Sequence, residues 1–270
     1  MHYKKETMDV CKNVPAFVIC LESKAASRCD VNIKNIRKVF PLAERTAAVD
    51  AKGIDAATDP RISCFAKYHI KSDQDTDLMH INSTGAVGCA LSHIGLWNRC
   101  VALGRPIVVV EDDMFISDTK AVKIRNAMAH IPTGVDFASI VYLPALSNAS
   151  VCGAKWCPIK YGFAGTQIYY VTPRGARILL QEALPVVTHV DAYIGFVSAT
   201  HPSFRAVRWA EKIYTVIDMI RDHSTSTLKH TVQIRKILPH GNTPYVVVAL
   251  VVVALVTWAS VVTDRLRRRC

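Results

Sequence analysis

Three adjacent acids, Glu111, Asp112 and Asp113, follow an unbroken apolar run at 107–110. In an open α/β sheet, ligands lie beyond the carboxyl ends of the strands. Carboxylates placed there offer the hard oxygen ligands that suit Mg2+ or Mn2+. An ion held that way stabilises the charge that builds on a diphosphate leaving group. Acids also end strands because they are soluble, so the run alone leaves metal binding and plain polarity open. Cys89 and His93 form a second group, one helical turn apart, a spacing that suits zinc. No second pair completes a zinc set. His93 reads as a side chain packed beside Trp97 that hydrogen-bonds a loop, with nucleotide contact as the alternative.

The elements that must position these groups follow from periodicity. Val87, Ala90, Leu91, Ile94, Trp97 and Val101 recur at spacings of three and four and predict a helix over 85–104. Arg105-Pro106 ends it, and the strand at 107–110 runs straight into the acids. Upstream, residues 16–21 form an apolar run of strand length. A polar stretch at 22–30 precedes a helix through Ile33, Ile36, Val39 and Phe40, which Pro41 stops. Residues 46–49 suggest a second strand, and 50–84 read as a loop-heavy excursion. Downstream come a helix near 120–130, a strand at 137–143 and another at 167–171. Thr172-Pro173 supplies an N-cap and a proline at the first helical position, and the helix continues towards Pro185. Strands alternating with helices predict an α/β fold with parallel strands.

The segment GAVGCALSHIGLWNRCVALGRPIVVVEDDM at 85–114 resembles the signature of glycosyltransferase family 25. That family comprises lipopolysaccharide-type β-galactosyltransferases of bacteria and the collagen galactosyl- and glucosyltransferases. Its members share a Gly-x-x-Gly-Cys-x-x-Ser-His helix, a hydrophobic strand and Glu-Asp-Asp. FVICLES (17–23) with Arg28 is similar to the family's opening strand and following arginine, and AVDAKG (48–53) to its second short motif. GTQIYYVTPRGARILL (165–180) and HVDAYI (189–194) resemble the units beyond the acids. The resemblance spans 14–230, between an extension at 1–13 and a linker at 231–244. The chain departs at Cys20, where the family often has Asn, and at Ser27-Arg28-Cys29, where a fuller Asp-Arg-Arg run is common. It departs again at IDMIRDHSTST (217–227), in place of Gln followed by Ser-Asp-Ile.

The resemblance implies a GT-A-type, Rossmann-like sheet with flanking helices and one site at the carboxyl edge. It implies an inverting, metal-dependent transferase that moves galactose or glucose from UDP-galactose or UDP-glucose to a glycan or glycoprotein acceptor. Asp112 and Asp113 are the implied ligands of Mn2+ or Mg2+, with Asp113 also counted among the catalytic groups. Asp191 is the candidate general base; orienting the sugar or capping a helix is its alternative role. Arg28, Glu22, Asp50, His93 and Glu111 fall on the nucleotide side, Arg28 with a surface salt bridge as alternative. His223 is either a late metal ligand or a solvated loop residue. The altered first and last motifs raise one rival function, a catalytically inactive membrane adaptor that keeps the transferase fold.

The 270 residues suffice for one such domain. Lys and Arg outnumber Asp and Glu by 33 to 22, which suits an anionic partner. The basic residues are scattered, so a nucleic-acid platform is not expected. Nine cysteines without a CxxC pair, several inside apolar runs, suit a reduced compartment, with Cys152 and Cys157 as the exception. Residues 245–262 carry no charge and as a helix would measure about 27 Å, close to the hydrocarbon core of a bilayer. With a basic tail at 263–270 and no apolar run near Met1, the pattern predicts a single-pass C-terminal anchor. Arg265, Arg267, Arg268 and Arg269 favour the reversed orientation by the positive-inside rule. Translocating a large domain without a signal is the harder step, so the catalytic domain is expected on the cytosolic face. Protease added to intact membranes should then digest it, and Asn82 and Asn148 should carry no glycan. Full protection with an endoglycosidase-sensitive mass shift would reverse the assignment.

Overall fold

The computed structural model describes residues 10–72, 80–142, 154–159, 163–211 and 213, with the backbone alone at 23–28. All fall within Met1–Thr227, the first of two units into which the chain divides. The segment at 245–262, the basic tail, His223, Cys152 and Asn148 lie outside the described residues. No described helix is long and apolar enough to cross a membrane.

Strand β1 (Ala16–Cys20) is buried at every position, as a strand covered on both faces requires. Helix α1 (Glu22–Arg37) begins almost at once, so the polar stretch at 22–30 is helical. Strand β2 (Glu44–Ala47) lies two residues before the segment that periodicity suggested. A 3-10 turn (Ala51–Gly53) and α2 (Cys64–Ser72) occupy the region read as loop. Only Ala66 of α2 is buried, so its sequence carries almost no apolar period. Helix α3 (Thr84–Leu103) starts where Ser83 accepts a hydrogen bond from the Ala86 N–H, and stops at Gly104, whose φ of 62° is left-handed. Strand β3 (Ile107–Glu111), α4 (Asp118–Ala129), β4 (Phe137–Val141), β5 (Trp156–Pro158) and β6 (Ile168–Val171) follow. Helix α5 (Pro173–Leu180) has the expected Thr172 cap and first-position proline. Helix α6 (Val190–Thr200) and β7 (Ala206–Trp209) complete the order.

The seven strands form one sheet in the order β2-β1-β3-β6-β4-β7-β5. Strands β2, β1, β3, β4 and β7 run in one direction. Strand β6 runs against both its neighbours, and β5 against β7. The sheet is therefore mixed, which corrects the all-parallel expectation. Parallel neighbours need a crossover, usually a helix, and no described helix separates β4, β5 and β6. An α/β sheet with flanking helices fits the Rossmann-like class.

Side chains alternate across the sheet with period two. Phe17, Ile19, Ile107, Val109, Tyr169 and Val171 join buried side chains of α3, α5 and α6 in one cluster. Ile33, Ile36, Ile124 and Met128 of α1 and α4 are buried outside that cluster. Cys20 and Cys29 are joined in a disulfide, with Cα atoms 5.9 Å apart. Helix α1 folds straight back over the end of β1 and brings them together, which corrects the reading of Cys20 as a small reduced hydrophobe. Cys157 is disulfide-bonded as well.

Asp136, 2 % exposed, ties three elements together ahead of β4. Its carboxylate accepts from the Arg174 guanidinium at 2.7 and 2.8 Å and from the Arg205 N–H at 2.9 Å. Its carbonyl accepts from the Thr172 N–H at 2.9 Å. Asp136→Ala leaves the part-buried Arg205 N–H and the Arg174 guanidinium without their anion, a loss of about 2–3 kcal/mol. For a domain of this size, thermal unfolding should fall by about 5–10 °C. An unchanged midpoint would show that the knot contributes little.

Candidate functional site

The family-like helix motif has a mechanical explanation. A Cβ at Gly88 would sit 2.6 Å from the Val49 carbonyl oxygen, so only glycine lets the 48–50 segment lie against α3. One turn later the Ser92 hydroxyl accepts from the Val49 N–H at 2.8 Å and donates to the Gly88 carbonyl at 2.7 Å. Together they seat Asp50, whose carboxylate accepts from the Lys52 N–H and caps the 3-10 turn. Val49 is thereby held on the helix, which explains why β2 ends at Ala47.

The acids gather where β3 ends. Val108, Val109 and Val110 are fully buried, Glu111 is half-buried, and Asp112 and Asp113 form the turn that leaves the strand. Asp112 is 8 % exposed. The Asn32 side-chain amide, from α1, donates to the Asp112 carbonyl and pins the turn. Because β6 is antiparallel, its start lies beside this end of β3: the Glu111 N–H donates to Gln167 O at 3.0 Å. The preceding segment, 163–166, works as a strap. Its Thr166 hydroxyl donates to Glu111 Oε1, and its Gly165 N–H donates to Asp191 Oδ2 at 2.9 Å. Gly165 has φ 93°, a left-handed value that favours glycine. Asp191, in the first turn of α6, also accepts from the Ala192 N–H at 2.8 Å.

Beneath the strap lies a buried polar set. Tyr169 Oη accepts from the Trp97 indole N–H at 3.0 Å and lies 3.0 Å from His93 Nδ1. His93 is wholly buried, and its Nε2 is 3.5 Å from Glu111 Oε1. Burial first, then the charges of Glu111, Asp191 and Asp113, push the Cys89 thiol well above its usual range. Of these acids, Glu111 lies closest at hand: one of its carboxylate oxygens, Cys89 Sγ and a His93 ring nitrogen lie within 4.8 Å of one another.

The structure thus brings together Glu111, Asp113, Asp191, His93 and Cys89, with Asp112 on the same turn. Glu22 is exposed at the first turn of α1, just past the end of β1, and Asp50 sits on the turn after β2. Arg28 belongs to α1, and its side chain is outside the described residues. Residue types did not single out Ser92, Tyr169, Thr166 or Asn32. A serine mid-helix that bonds back one turn is the one local signal available; the others act across long sequence separations.

Residues 13–194 match the family model of glycosyltransferase family 25, described as an LPS biosynthesis protein family. The chain is also 25 % identical over 175 residues to the mouse protein named inactive glycosyltransferase 25 family member 3. That match covers 60 % of this chain and 30 % of the relative, so the chain spans under a third of that relative's length.

Two glycines of α3 separate packing from propensity. Gly88→Ala forces Val49 away and should destabilise by about 1–3 kcal/mol. Gly95→Ala, with no described residue within 4 Å of its added Cβ, should stabilise by about 0.5–1 kcal/mol. Thermal unfolding of both variants checks this; a Gly88→Ala variant no less stable than the parent would show that the close approach at Gly88 is not tight.

Proposed function

The chain belongs to glycosyltransferase family 25, and from that membership and the acids closing β3 we propose that it transfers a hexose from UDP-galactose or UDP-glucose. The acceptor is a glycan or glycoprotein near a membrane, and the chain is held there by residues 245–262. The observation that carries the reading is the turn Asp112-Asp113 leaving a buried strand at the sheet's carboxyl edge, with Asp191 tied through the Gly165 N–H to the segment that also holds Glu111.

The residues present fit a hard divalent cation. Adjacent carboxylates at the end of a buried strand supply oxygen ligands. Asp112 and Asp113 would hold Mn2+ or Mg2+, which supplies electrostatic stabilisation of a departing diphosphate. Asp191 serves as the base that takes the acceptor hydroxyl's proton in an inverting displacement; the Gly165 and Ala192 N–H groups orient its carboxylate. Glu22, Arg28 and Asp50 follow the ends of β1 and β2, the edge assigned to the nucleotide. Glu111 and His93 support that edge from inside.

A second reading takes its support from the mouse relative, which is named inactive: a transferase fold that binds donor without transferring it. The two readings separate in one experiment. The full chain in detergent should hydrolyse or transfer from a UDP-hexose only with Mn2+ or Mg2+ present, and EDTA should abolish turnover. Asp113→Ala should lower the rate at least about 100-fold, since metal stabilisation is worth several kcal/mol, while thermal unfolding stays unchanged. Turnover that survives EDTA, or an Ala variant as fast as the parent, sinks the metal assignment. Donor-dependent thermal stabilisation without turnover selects the inactive reading.

A further inference from the structure

Cys89, His93 and Glu111 form a compact set distinct from the Asp112-Asp113 pair. Cys89 and His93 share one face of α3 at a spacing of four, and Glu111 is the last residue of β3. One ligand atom from each lies within 4.8 Å of the other two. His93 Nε2 and Glu111 Oε1 are 3.5 Å apart; the edge of a zinc tetrahedron with N and O ligands is about 3.4 Å. Cys89 is a free cysteine.

The decisive observation is the imidazole. His93 is 0 % exposed, its Nδ1 is engaged with Tyr169, and its Nε2 has no hydrogen-bond partner among the described residues. Leaving such an atom unsatisfied costs about 1–3 kcal/mol, and this one is aimed at a carboxylate and a thiol. We propose that Cys89 Sγ, His93 Nε2 and a Glu111 carboxylate oxygen form a site for a thiophilic divalent cation of the Zn2+ class.

The donor chemistry selects the ion. Thiolate and imidazole favour zinc over the hard cations suited to Asp112 and Asp113. Three protein ligands leave a fourth position open. Metal binding at Nε2 selects the tautomer in which His93 Nδ1–H donates to Tyr169 Oη, 3.0 Å away, and Trp97 donates to the same oxygen and holds it still. The Thr166 hydroxyl donates to the same Glu111 oxygen that faces His93, and fixes the carboxylate in place. On binding, the Cys89 thiol releases its proton to solvent, and the cation turns repulsion between thiolate and carboxylates into attraction. The site clamps α3 to the strand from which the catalytic acids depart.

The test uses the full chain in detergent, stripped with a chelator and titrated with Co2+ as a spectroscopic probe. One equivalent should bind with a thiolate-to-cobalt charge-transfer band that Zn2+ bleaches. Cys89→Ser should abolish the band and weaken Zn2+ binding at least about 100-fold, more than loss of an outer-shell partner costs. Cys64→Ser, at an exposed cysteine outside this set, should keep the band. Asp112→Asn with Asp113→Asn should keep it too, even where donor turnover is lost, so this site and the transferase reading fail separately. Should Cys89→Ser misfold by circular dichroism, the unmodified chain decides: Zn2+ should slow alkylation of Cys89, followed by peptide mass. Absence of the band in the unmodified chain, a band of equal strength in folded Cys89→Ser, or alkylation of Cys89 indifferent to zinc overturns the proposal.

Discussion

The reversed direction of β6 between β3 and β4 is the constraint on which the site depends. A parallel strand in that place would put its first residues at the amino edge of the sheet, far from the acids. Running backwards, β6 begins where β3 ends, so Gln167 O receives the Glu111 N–H and the strap at 163–166 crosses directly above Glu111. From there Thr166 reaches Glu111 and Gly165 reaches Asp191. Two acids 80 residues apart are positioned by neighbouring residues of one short segment. The other end of β6 leads into Thr172 and α5, anchored on Asp136. One strand therefore links the structural knot to the chemistry.

Burial on both faces of the sheet gives that strand its leverage. Tyr169 contributes its ring to the cluster under α3 and its hydroxyl to Trp97 and His93. A phenol buried that deeply must be hydrogen-bonded, and satisfying it sets the angle of the imidazole. The imidazole in turn sets what can sit beside Glu111. Packing energy, spread over many apolar contacts, is thus converted into the placement of a few polar atoms. Such conversion is why a sheet edge with few exposed groups can be chemically specific.

Much of the fold was legible in the sequence. Helix α3 followed from a strong apolar period, β3 from four consecutive apolar residues, and the start of α5 from Thr172-Pro173. These signals are local, and local signals survive without knowledge of the rest. Helix α2 was illegible because it buries almost nothing. The early start of α1 was missed because its first turns are polar, and propensity there is weak beside periodicity. The bond between Cys20 and Cys29 was missed because spacing alone does not say that a helix folds back over the strand before it.

For the site, the sequence by itself determined the chemical inventory: three acids closing a strand, a cysteine and a histidine one turn apart, and motifs of a known transferase family in order. Composition and periodicity also placed these groups on named elements. Only the tertiary structure decided which of them meet. Strand direction cannot be read from an alternating or apolar pattern, because that pattern is the same whichever way the strand runs. That direction brings the strap to both Glu111 and Asp191. The packing of α3 sets His93 beside Glu111 and gives Gly88 and Ser92 the work of seating Asp50, through contacts across some forty residues that no local spacing encodes.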